Sequence, residues 1–138
     1  MVITKHITVQ TNGGGQVLNI NAEFCRQVAE SGLSDGIVTV FVAGTTAAIS
    51  IMEHEPGLVA DLQATMDRLI PREIPYQHDL LNNDDNGYAH TQASLLGPSL
   101  VVPFAAKRPL LGTWQQIILV DFDSRPRNRQ IVFQIMGE

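Results

Sequence analysis

Cysteine is almost missing from this chain. Cys25 stands alone, which excludes an internal disulfide and suits a reducing, cytoplasmic setting. No run of about 18 apolar residues occurs, so no membrane-spanning helix is expected. Met1 to Ile7 alternates instead of forming a solid apolar block, and no signal peptide is read there. Basic residues are few: nine against fourteen acidic ones, a net charge of −5. Proteins that grip nucleic acid through its phosphates lean the other way, so no nucleic-acid partner is expected. Repeats, low-complexity tracts and linkers are absent, and residues 1–138 read as a single domain large enough to bury a core.

What is present reads as an α+β fold. Val2–Thr11 alternates Ile3, Lys5, Ile7 and Val9 against His6, Thr8 and Gln10, a strand pattern. A glycine turn, Gly13-Gly14-Gly15, and a short strand over Gln16–Ile20 follow. Asn21 is placed to cap a helix running to about Ser31, with Gly32 as its stop and Phe24, Cys25, Val28 and Ala29 as its inner stripe. Gly36–Val42 is almost wholly apolar and β-branched, as central strands are. Thr45–Met52 reads as its partner. Pro56 opens a second helix, along which Leu58, Val59, Leu62, Met66 and Leu69 recur at helical spacing until Pro71. Composition then turns polar, so Pro71–Tyr88 reads as a long functional loop, with a short helix over His90–Leu96. Three strands close the chain: Leu100–Phe104, Thr113–Phe122 and Gln130–Met136. Strands and helices do not alternate, which favours mostly antiparallel pairing over a parallel α/β sheet.

The stretch Tyr76–His90 holds two of the four histidines, His78 and His90, among Asp79, Asp84 and Asp85. Imidazole with carboxylate suits a divalent ion such as Zn²⁺, although the interval between the histidines is no standard ligand spacing. The competing reading is a solvated turn with incidental histidines. An EF-hand is excluded because its alternating ligands and closing Glu are missing. Glu53, at a strand-to-helix junction, is a candidate acid/base or equally a solvated residue near a helix N-terminus. Thr45 and Thr46 follow a glycine after an apolar strand, where hydroxyls and amides suit a phosphate. Arg125, Arg127 and Arg129 alternate, so an extended segment would aim all three one way, toward phosphate, carboxylate or a subunit interface.

Taken in order, several segments resemble the secondary thiamine-phosphate synthase (YjbQ-like) family along nearly the whole chain. They are Thr45-Thr46-Ala47-Ala48 with Glu53, Tyr76-x-His78 with Asp84-x-Asn86 and His90, Gly97-Pro98-Ser99-Leu100, and Leu111-Gly112-Thr113-Trp114-Gln115. The closing Asp121-x-Asp123-x-Arg125-Pro126-Arg127-x-Arg129 also fits. The resemblance implies two packed, mostly antiparallel β-sheets with two to three helices, assembled as a homotrimer. It implies an activity that joins hydroxymethylpyrimidine diphosphate to thiazole phosphate, releasing pyrophosphate. By the same resemblance His78, His90 and Asp84 would hold a divalent metal, Zn or Mg. Thr45, Thr46, Ser99 and Arg127 would bind phosphate oxygens, and Glu53 and Asp84 would be catalytic. The chain departs from the family at Gly44, where a histidine is usual, at Gln92, often basic, and at Lys107, usually glycine.

Overall fold

The computed structural model describes residues 1–138. In chain order the elements are β1 (Val2–Thr11), β2 (Gln16–Asn19), α1 (Asn21–Glu30), β3 (Gly36–Ala43), β4 (Ala47–Met52), α2 (Pro56–Leu69), α3 (Gln77–Asn82), α4 (Gly87–Leu96), β5 (Ser99–Ala105), β6 (Arg108–Pro109), β7 (Gln116–Asp121) and β8 (Arg127–Gly137). The expected α+β class with antiparallel pairing holds, with four helices rather than two to three. A five-stranded sheet runs β1-β8-β3-β5-β6 and a three-stranded sheet runs β2-β7-β4.

Alternation along the strands builds two cores. Val38, Val40 and Val42 of β3 and Ile131, Phe133 and Ile135 of β8 face Ile49 of β4 and Ile117 and Leu119 of β7, with Phe24 and Val28 of α1 filling the same layer. The intervening residues Ile118 and Val120 point the other way, into a second core with Met66 of α2 and Tyr88, Ala89 and Ala93 of α4. Strand β7 is thus buried on both faces, which is why it reads as an unbroken apolar run rather than as an alternation. Each fully buried side chain of this size contributes about 1.5–3 kcal/mol by leaving water. The outer face of the large sheet stays open, with Val2, Ile37, Phe41, Val101 and Met136 exposed.

Several expectations are corrected. The partners of β3 are β5 and β8, whereas β4 pairs with β7 in the other sheet. Periodicity fixes which face of a strand is buried, not which neighbour it takes. In α1 it is Gln27, not Ala29, that is buried, because its amide donates to Glu23 at 2.7 Å and so satisfies its polarity. On α2 only Met66 is fully buried, and Leu69 is 64% exposed. Strand β7 starts at Gln116 rather than Thr113, and Trp114 in the preceding turn is 70% exposed. Strand β6 is too short to leave a pattern.

The polar stretch is not a loop but two helices. Asn83 ends α3 in the left-handed conformation, φ 52°, and Asp79 Oδ1 accepts the Gly87 N–H at the start of α4 at 2.9 Å. A Cβ at Gly87 would lie 2.6 Å from the Tyr76 Cβ, so glycine alone permits this packing. Because α3 buries nothing fully, it carries no apolar stripe to announce it.

Candidate functional site

The site grows from the turn between β7 and β8. Asp121 ends β7 and Asp123 follows it, both essentially without solvent exposure. A buried carboxylate must be paired and hydrogen-bonded, and both are. Arg129, on β8, meets Asp121 side-on: Nε donates to Oδ2 at 2.7 Å and Nη2 to Oδ1 at 2.9 Å. Thr11 Oγ1 and the Asp123 N–H supply the remaining donors, at 2.5 and 3.0 Å. Asp123 Oδ2 accepts from Thr46 Oγ1 at 2.8 Å and Arg127 Nε at 2.9 Å. Its Oδ1 accepts from the Ser124 N–H at 2.7 Å and Asn86 Nδ2 at 3.3 Å. Burial alone would push the Asp123 carboxyl up. The hydrogen bonds from Thr46, Asn86, Ser124 and Arg127 outweigh it and hold the pKa at about 2. The glycine turn anchors the segment, since the Gly14 and Gly15 N–H groups donate to the Asp123 and Asp121 carbonyls at 2.7 and 2.8 Å.

Above this network opens a wholly polar cavity of about 470 Å³ lined by Gly44, Thr45, Thr46, Asp84, Asn86, His90, Asp123, Arg127, Asn128 and Arg129. Its acids are spent as acceptors while its donors are not. Arg129 is only 6% exposed, and its Nη1 donates to no protein acceptor. Arg127 commits only Nε, leaving both Nη groups open. The N–H groups of Gly44, Thr45 and Thr46 likewise have no acceptor, and unpaired consecutive amides are what anions seek. Gly44 is needed here twice over. Its φ is +151°, and a Cβ would stand 2.6 Å from Arg129 Nη1.

One wall is the histidine pair. The rings of His78 and His90 lie 4.4 Å apart between centroids. His78 Nε2 is 3.1 Å from Asn86 Oδ1 and 3.5 Å from Asp84 Oδ2. Burial and then the neighbouring His78 push the His90 pKa down, which favours its neutral imidazole. The Asp85 N–H, and secondarily His78, hold Asp84 below the usual carboxylate range. Arg125 pairs outward with Asp85 at 3.2 Å.

The fold therefore unites Thr45, Thr46, Asp84, His90 and Arg127 around one cavity, with His78 packed behind His90. It does not bring in Ser99, which is exposed at the start of β5. Nor does it bring in Glu53. Strand β4 pairs Ala47 with Asp121 at the cavity end and Met52 with Gln116 at the other, so Glu53 lies about 20 Å along the strand from the site. No group of three or more His, Cys, Asp or Glu side chains is gathered to hold a metal ion. His78 turns Nε2 to Asn86 and Asp84, and Gly44 offers no side-chain ligand beside His90, so the residues present do not fit a tightly held divalent metal. Asp121 and Asp123 stand out in the sequence only within the closing motif, whereas Arg129 also stands out by its alternation with Arg125 and Arg127. Their alternate spacing in Asp121-x-Asp123 and Arg127-x-Arg129 was the signal that they share a face.

A family model described as "UPF0047 protein YjbQ-like" matches residues 5–138. The chain belongs to the UPF0047 (YjbQ-like) family. A UPF0047 protein of Archaeoglobus fulgidus is 37% identical over 130 residues, covering 94% of this chain and 98% of that one. One from Methanothermobacter thermautotrophicus is 32% identical over 137 residues, covering 99% and 94%. Among solved structures, a protein of unknown function from Sulfolobus solfataricus P2 superposes with a TM-score of 0.90 at 31% identity, over 100% of both chains. A hypothetical protein from Aeropyrum pernix K1 gives 0.91 at 33%, over 99% of each. Fold and family are thereby settled, and no activity is attached to these relatives. Within this UPF0047 chain no helix is long and apolar enough to cross a membrane.

Proposed function

We propose that the cavity binds the diphosphate of a small phosphorylated molecule and that the protein is a transferase of the thiamine-phosphate synthase type. The supporting observation is a buried guanidinium, Arg129, with an uncommitted Nη1 facing a polar cavity whose buried carboxylates are already saturated. In the reaction, the thiazole nitrogen lone pair forms a bond to the pyrimidine methylene carbon. The carbon–oxygen bond to the diphosphate breaks, and pyrophosphate leaves with that electron pair. The product is a thiazolium cation and no proton moves at the reacting atoms. Catalysis then asks for stabilisation of leaving-group charge, which fixed donors supply without reorganising, and needs no general base. A distant Glu53 is no obstacle to it. Arg127, Arg129 and the amides of Thr45 and Thr46 are the groups assigned to the leaving diphosphate.

The test is thiamine phosphate formation from the two precursors by wild type, Arg127→Gln and His90→Ala. Loss of one such donor is expected to slow turnover about 100-fold; turnover by Arg127→Gln equal to wild type would overturn the assignment. A second reading, a small-anion-binding protein without turnover, draws on the missing metal-ligand set. Pyrophosphate binding by a wild type that forms no product would select it. We further propose a homotrimer, for which the exposed Ile37, Phe41, Val101 and Met136 of the large sheet offer the contact face. Light scattering of the purified protein would check the mass.

A further inference from the structure

A second polar cavity, of about 500 Å³, adjoins the first and is lined by Gln10, Thr11, Asn12, Pro126, Arg127 and Asn128. It lies where the end of β1 meets the start of β8, at the register pairs Gln10–Asn128 and Thr11–Arg127. Its volume is in the range of small-ligand sites. Three features distinguish it from a bare surface hollow. Its only charged lining residue is Arg127, so the one charge on its wall is positive in a protein of net charge −5. The Arg127 guanidinium is held in place, because Nε is tied to the almost fully buried Asp123 while both Nη groups remain free. The side-chain amides of Gln10, Asn12 and Asn128 line it without a hydrogen-bond partner in the protein; at Asn12 only the backbone N–H is engaged, by Gln16 Oε1. Arg127 and Asn128 also line the first cavity.

We propose that this cavity is a second anion subsite, which takes the phosphate monoester of the co-substrate, so that Arg127 bridges two separately bound phosphorylated molecules. The inference rests on the preceding reading that the first cavity takes a diphosphate. It assigns Gln10 and Asn12 to the second ligand alone, as neutral donors that accept a monoester but offer too little positive charge for a diphosphate, with Asn128 at the boundary of the two cavities. The two anions are brought together by one guanidinium, which offsets their mutual repulsion.

The experiment is calorimetric titration with pyrophosphate and with thiazole phosphate, singly and each in the presence of saturating amounts of the other. The proteins are wild type, Gln10→Glu and Thr45→Glu. Gln10 and Thr45 are both exposed, so these variants fold, as a circular dichroism melt will verify. The expected result is that both ligands bind wild type together. Gln10→Glu then weakens thiazole phosphate at least tenfold while changing pyrophosphate less than threefold, and Thr45→Glu does the reverse. Competition between the two ligands for one site, or equal effects of Gln10→Glu on both, would overturn the second subsite. Failure of wild type to bind pyrophosphate, or indifference of that binding to Thr45→Glu, would instead overturn the assignment of the first cavity.

Discussion

Removing the charge of Asp123 should uncouple much of the acid sensitivity of this fold. The perturbation is Asp123→Asn, compared with wild type across pH. Asp123 has a folded pKa of about 2 against an ordinary 3.8. A carboxyl depressed on folding stabilises above its unfolded pKa, and that contribution fades as pH falls through the folded value. At about 1.4 kcal/mol per pKa unit, the shift corresponds to roughly 2–3 kcal/mol at neutral pH. Linkage puts about 1 kcal/mol of this beyond reach at pH 3 and about 2 kcal/mol at pH 2. The asparagine variant lacks the titrating group, so the stability gap between the two proteins should narrow by these amounts on acidification. Other depressed carboxyls, Asp84 and Glu23, titrate in both proteins and cancel in the difference. Urea unfolding followed by far-ultraviolet circular dichroism is the suitable assay, because the sole tryptophan, Trp114, is too exposed to report burial. A gap that stays constant from pH 6 to pH 2 would refute the reasoning.

Three further outcomes are expected. Arg129→Met should cost about 3–5 kcal/mol, because Asp121 is left buried and charged without its bidentate partner; a loss below 1 kcal/mol in the same assay would contradict this. Gly44→Ala should weaken pyrophosphate binding, since the new methyl meets Arg129 Nη1 and the backbone holds a positive φ; calorimetry showing unchanged affinity would count against the site. Glu53→Gln and Ser99→Ala should leave pyrophosphate affinity unchanged within twofold, as both lie outside the cavity.

Much of the fold was readable from local pattern. Pro56 and Gly32 mark helix ends by their backbone chemistry, and β3 declares itself by an apolar, β-branched run. The candidate site was readable only in outline. His78 and His90 stand out for their chemistry, and the fold sets their rings 4.4 Å apart in a tilted pair. Asp121 and Asp123, by contrast, look locally like solvated carboxylates in a polar turn: Arg127 and Arg129 stand close by in the chain, but Thr11, Thr46 and Asn86, which complete the network, lie far along it. Glu53 looked promising at its junction, yet a strand's length separates it from the cavity.

By itself the amino-acid order determined the periodicities, the helix boundaries set by Pro and Gly, and the family motifs, because these depend on backbone preferences and on side chains a few residues apart. Tertiary structure alone decided that β4 pairs with β7, that α3 forms with no fully buried residue, and that two buried carboxylates share one network with Arg127, Arg129 and Thr46. Those outcomes depend on the loss of water around groups remote in sequence. Desolvation is what turns a polar turn into a charged, hydrogen-bonded cavity floor, and it arises only once the sheets have packed.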